Sequence, residues 1–114
     1  MPRKKTKLPR AEIDPAFRPI VAAFADYRDV IGGKMMSSYG LKVNGKIFAM
    51  FGRKQFVVKL PEARVDSLVT AGHGKRFDPG HGRLMKEWVV VRDGGPNWLD
   101  LAEEAYEFVK RGHS

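Results

Sequence analysis

Tyr39-Gly40-Leu41-Lys42-Val43-Asn44-Gly45-Lys46-Ile47-Phe48-Ala49-Met50-Phe51 is the stretch whose reading decides the fold. Two apolar runs flank Asn44-Gly45, a pair that tolerates positive φ at both central positions of a tight type I′ turn. The stretch therefore predicts a β-hairpin. Gly52-Arg53-Lys54 reads as a second turn, and Gln55-Phe56-Val57-Val58-Lys59-Leu60 as a third strand rich in β-branched and aromatic residues. Three strands joined by two short turns form an antiparallel meander. Phe48, Phe51 and Phe56 require one of its faces to be covered.

The cover is encoded on both sides. Upstream, Asp14-Pro15 opens a helix, with Asp14 as cap and Pro15 at the first helical position. Phe17, Ile20, Val21, Phe24, Arg28 and Ile31 recur at steps of three and four, and Gly32-Gly33 ends the pattern. Downstream, Pro61-Glu62 starts a second helix with Val65, Leu68 and Val69 on its apolar face. Residues 72–83 read as a glycine-rich loop, with Phe77 as its anchor to the core and Asp78-Pro79-Gly80 as a turn. Trp88-Val89-Val90-Val91 predicts a fourth strand. Asn97 caps a last helix whose stripe is Trp98, Leu101, Ala102, Ala105 and Val109. The order α-β-β-β-α-β-α defines an α+β fold, a mostly antiparallel sheet with helices packed on one face. Phe24, Phe48, Phe56, Val58, Trp88, Leu101 and Ala105 are the expected core.

The chain has 114 residues with a net charge of +8. Residues 1-12 are expected to be a disordered basic tail, and residues 13-114 a single domain. Arg3, Lys4, Lys5, Lys7 and Arg10 place five cations in the first ten residues, leaving +3 for the rest. Such an arm suits weak, nonspecific contact with nucleic acid. No apolar run is long enough for a membrane span and no secretory h-region follows the basic start, so a cytoplasmic location is expected. Cysteine is absent, which excludes disulfides, thiolate catalysis and thiolate-ligated metals in this chain.

Catalytic signatures do not assemble. Gly32-Gly33-Lys34 lacks the first glycine and the Ser/Thr of a phosphate loop, and Gly80-His81-Gly82 meets Met85 where a dinucleotide fingerprint needs its third glycine. His73, Asp78 and His81 share a loop without a fourth ligand, so no metal is expected. Ser37 and Ser38 have no sequence-evident base, and Glu87 is a single carboxylate rather than an acid/base pair. Lys75, Arg76, His81 and Arg83, interspersed with glycines, are the candidate anion- or partner-binding residues.

Several stretches carry a likeness to a known family. They are Asn44-Gly45-Lys46-Ile47-Phe48-Ala49, Phe56-Val57-Val58-Lys59-Leu60-Pro61, Gly82-Arg83-Leu84-Met85-Lys86-Glu87-Trp88-Val89, and the closing helix with Trp98, Ala102 and Ala105. In these the chain resembles the N-terminal domain family of the TfoX/Sxy competence regulators, relatives of the MmcQ/YjbR-like proteins. It departs where Met36-Ser37-Ser38-Tyr39 stands in place of a Met-Phe-Gly-Gly-like run. The resemblance implies a bacterial α+β domain with a curved antiparallel sheet, and supplies no catalytic residue, cofactor or metal. The longer regulators of this type carry a second, helical domain that these 114 residues do not include. The expectation is a small non-enzymatic binding or regulatory domain. A protein-interaction module or homodimer using the sheet, and a small-anion enzyme centred on residues 72–83, are the alternatives.

Overall fold

The Asn44-Gly45 hairpin lies within a six-stranded sheet in a computed structural model that describes residues 13–35, 38–80, 82 and 84–112. Its elements are α1 (Arg18–Ala23), β1 (Val30–Met35), β2 (Ser38–Val43), β3 (Lys46–Gly52), β4 (Gln55–Lys59), α2 (Glu62–Thr70), β5 (Gly74–Arg76), β6 (Trp88–Val91) and α3 (Trp98–Lys110). The spatial order is β1-β2-β3-β4-β6-β5, and every neighbouring pair is antiparallel. The expected turn is present, with φ of 54° at Asn44 and 78° at Gly45. This is the α+β class expected, with two strands more than the sequence reading counted.

Register separates the two faces, because alternate residues of a strand point to opposite sides. Tyr39, Leu41 and Val43 of β2, Ala49 and Phe51 of β3, Phe56 and Val58 of β4, and Val89 and Val91 of β6 are buried in one cluster. Ile20 and Val21 of α1, Val65 and Leu68 of α2, and Leu101, Ala102, Ala105 and Val109 of α3 belong to the same cluster. All three helices therefore cover the same face. A bulge at the Leu41/Lys42 step of the β2–β3 pairing leaves Phe48 as an extra residue of β3. It turns both Phe48 and Ala49 into the core, where each is fully buried, and bends the strand. Phe17 closes one end of the core against Tyr39, Phe51 and Phe56, with ring centroids 5.8–6.4 Å apart.

Several expectations are corrected, the first being the start of helix α1, whose N-cap is Phe17 rather than Asp14 and has no side-chain cap bond. The first helix does not reach Ile31. After Ala23 the backbone tightens into i→i+3 bonds, Ala25 N–H to the Ala22 carbonyl and Tyr27 N–H to that of Phe24, and Val30–Met35 is strand. Ile31, on the helical spacing, is 70 % exposed. Gly32 does not end a helix; it sits opposite Leu41, where an added Cβ would lie 2.8 Å from the Tyr39 hydroxyl. Part of the expected 72–83 loop is β5, and Phe77 anchors it through its backbone rather than by joining the core. Its N–H donates to the Trp88 carbonyl at 3.0 Å, and its carbonyl accepts from Met85 N–H at 3.0 Å. Trp88 is half-buried and lies outside the core cluster; Val89 and Val91 occupy the inward phase of β6. Trp98 instead stacks on Phe56 at 4.7 Å between centroids.

The local signals on the last helix hold. Asn97 Oδ1 accepts from the N–H groups of Leu99 at 2.8 Å and Asp100 at 3.2 Å, satisfying two of the helix's orphan donors.

Candidate functional site

The six strands carry Lys34, Lys42, Lys46, Lys59, Lys75 and Arg76 and not one Asp or Glu. Among the described residues the carboxylates are on helices and connections. Helices α2 and α3 hold Glu62, Asp66, Asp100, Glu103, Glu104 and Glu107 against only Arg64 and Lys110. The sheet is thus basic, and α2 and α3 of its helical cover are acidic. Lys42, Lys59 and Lys75 fall on the face that the three helices leave uncovered.

That face is ordered by register into rows. Ile31 pairs with Lys42, Lys42 with Ile47, and Lys59 with Trp88. The next row runs through Gly33, Gly40, Met50, Val57, Val90 and Lys75 across all six strands. Lys42 and Lys75 are exposed. Lys59 is more constrained: its ammonium sits 5.8 Å from the Trp88 ring centroid and 4.0 Å from Glu87. Holding a cation against an indole face in this way presents charge and an aromatic surface together.

Of the sequence-predicted anion residues, Lys75 and Arg76 are neighbours on β5 and point to opposite faces. Arg76 is engaged by the Asp66 carboxylate of α2, on the helix side, while Lys75 lies opposite Val90 on the uncovered side. The two do not converge. His81 and Arg83 lie outside the described residues, as do Arg3, Lys4, Lys5, Lys7, Arg10, Met36 and Ser37. Lys42, Lys59 and Trp88 were missed as site residues. For the two lysines a signal was present in the sequence: the charged residues on the strands of the expected meander, Lys42, Lys46 and Lys59, are all cations.

A second polar cluster joins the turn after α1 to the end of α3. The Tyr106 hydroxyl donates to Asp29, with oxygens at 2.8 and 3.0 Å, and accepts from Lys110 Nζ at 3.0 Å. Lys110 also pairs with Asp29 at 3.1 Å. The Tyr106 hydroxyl, and then Lys110, hold the Asp29 carboxyl below its ordinary range. Lys110 is correspondingly raised by Tyr106 and Asp29. Because the tyrosine hydroxyl is committed as a donor to an ionised carboxylate, it is not poised as a base. The cluster fastens α3 to the α1–β1 connection. Among the described residues no group of three or more His, Cys, Asp or Glu side chains could hold a metal ion. No helix among them is long and apolar enough to cross a membrane.

No family model, curated protein or solved structure matches the chain.

Proposed function

We propose that this is a non-enzymatic binding domain, regulatory in the sense its resemblance suggests, that contacts nucleic acid through the helix-free face of its sheet. The observation that carries the reading is the segregation of charge: six strand cations with no strand carboxylate, backed by the acidic helices α2 and α3. A polyanion meeting Lys42, Lys59 and Lys75 encounters no opposing charge from the strands, and Trp88 offers a ring against which a base can stack. The basic residues of the first ten positions add contacts of the same kind.

The test is the salt dependence of binding to a labelled duplex and to a single strand, followed by anisotropy. Lys42→Ala with Lys75→Ala should lower the slope of log affinity against log salt on duplex DNA by about 1.8. Deleting residues 1–10 should lower it by up to about 4.5 if all five cations engage phosphates. Binding that survives both changes with its slope intact refutes the reading.

A second reading rests on a different observation. Ile31 stands 70 % exposed on β1, an edge strand of six residues. Long apolar edges are ready templates for strand pairing, which favours a protein-interaction module or homodimer. Sedimentation of the full chain beside Ile31→Lys separates this from the nucleic-acid reading, because only an edge-paired dimer would dissociate.

A further inference from the structure

The chain solves the same structural problem twice, in two different ways. The β2–β3 hairpin turns on Asn44-Gly45, the residue types that adopt positive φ most readily. The β3–β4 hairpin turns on Arg53 and Lys54, with φ of 53° and 65°. Two long, non-glycine side chains occupy the left-handed region in succession, the costlier choice. Backbone strain of this kind points to what the side chains do.

Arg53 and Lys54 form one rim of a cleft of about 190 Å³ at the helix-side corner of the sheet. Phe17, Tyr39 and Phe51 line it, and Lys34 and Ser38 approach from β1 and β2. Asp14, just before α1, borders the cleft beside Lys54. Asp14 is already committed: its carboxylate accepts from Ala16 N–H at 2.9 Å and pairs with Lys54 Nζ at 3.0 Å. Those contacts, the Ala16 N–H first, hold its carboxyl below the ordinary range. Among the described residues Lys34 and Arg53 have no ion-pair partner. The cleft thus combines an aromatic lining with two uncommitted cations.

We propose that this cleft binds a small phosphomonoester, a phosphoryl dianion on a short carbon body. Two unopposed cations balance a dianion. A guanidinium fork matches phosphoryl oxygens with two parallel hydrogen bonds, and the lysine ammonium supplies a point charge. The volume is below the roughly 300–1,000 Å³ of pockets that enclose drug-sized ligands, which selects a short body. The site lies on the opposite side of the sheet from Lys42, Lys59 and Lys75, so it stands or falls independently of nucleic-acid binding.

The experiment uses the full chain with glycerol 3-phosphate, inorganic phosphate and glycerol, read by thermal melting and by amide chemical shifts. Glycerol 3-phosphate should raise the melting temperature saturably, inorganic phosphate more weakly, and glycerol by no saturable amount. Ser38, Gly52 and Arg53 amides should shift with the same saturation. Arg53→Gly removes a cation and relieves the positive φ, so it should melt no lower than the parent yet lose the response. Lys75→Ala, on the other face, should keep it. An Arg53→Gly chain that responds as the parent does overturns the proposal, and so does a parent chain that responds to none of the probes.

Discussion

Replacing Gly74 by Ala tests the pairing of the shortest strand. A Cβ at this position would stand 2.6 Å from the Val90 carbonyl oxygen and 2.9 Å from Val89 Cγ2. The nearer contact is backbone in a central pairing, so β5 must move rather than its neighbour. Overpacking of this kind costs about 1–3 kcal/mol. Displacement would also weaken the bonds that bracket the strand, Arg92 N–H to the His73 carbonyl at 2.9 Å and Phe77 N–H to that of Trp88 at 3.0 Å. Urea denaturation measures the effect. With a slope of about 1–3 kcal/mol per molar, a loss of about 2 kcal/mol lowers the midpoint by roughly 0.7–2 M. Two other glycines calibrate the argument. At Gly33 nothing lies within 4 Å of an added Cβ, and Ala there should stabilise by about 0.4–1 kcal/mol through the unfolded chain. At Gly95 the nearest atom is His73 Nδ1 at 2.6 Å, a side chain that can rotate, so Ala should fall between the two. A midpoint for Gly74→Ala equal to the parent's, or above that of Gly95→Ala, would refute the β5–β6 register.

Phe17 is fully buried against three rings, so Phe17→Ala should cost about 3–5 kcal/mol in chemical denaturation. Trp88→Ala should cost clearly less, because Trp88 is only half-buried. Asn97→Ala should destabilise by about 0.5–2 kcal/mol, the two capped N–H groups losing their acceptor. Asp29 is held below its unfolded value, so its stabilising contribution is present above the unfolded pKa and lost as pH falls through the folded one. The stability gap between the parent and Asp29→Asn, followed across pH, should be flat above about pH 5 and close below about pH 4.

Local chemistry was the legible part of the sequence. Asn44-Gly45 and Asn97 are short-range devices whose geometry needs only adjacent residues, and both appear where they were expected. Strand β1 was illegible because Ile31 continues a helical spacing that Phe17, Ile20, Val21 and Phe24 begin. What makes residues 30–35 a strand is pairing with Val43 through Ser38, a relation between segments. Trp88-Val89-Val90-Val91 is apolar at every position, so no alternation tells which phase faces inward. The β4–β6 register decides it by setting Val89 against Val58 and Val91 against Phe56. For the candidate site, the one-sided charge of the strands could be read along the chain. That Lys42, Lys59 and Lys75 share a face, while Arg76 turns to Asp66, depends on strand order and register. The Arg53-Lys54 turn was visible, but the cleft beside it needed Phe17 and Lys34 to arrive from distant positions.

The strand cations and the six carboxylates of α2 and α3 lie in different layers, so the sheet and that part of its helical cover carry charge of opposite sign. Net charge then stops being a sufficient guide to its behaviour. On an ion-exchange column at a single neutral pH, either kind of matrix meets a matching side, so the chain can be retained by both. On a charged support its attachment is directional, with the helices facing outward from an anionic surface and inward on a cationic one. Lowering salt from about 0.1 M to about 0.01 M lengthens the screening distance from about 10 Å to about 30 Å. At the lower value each molecule feels the oppositely charged layer of its neighbours, and light scattering should register that attraction despite an overall charge of +8.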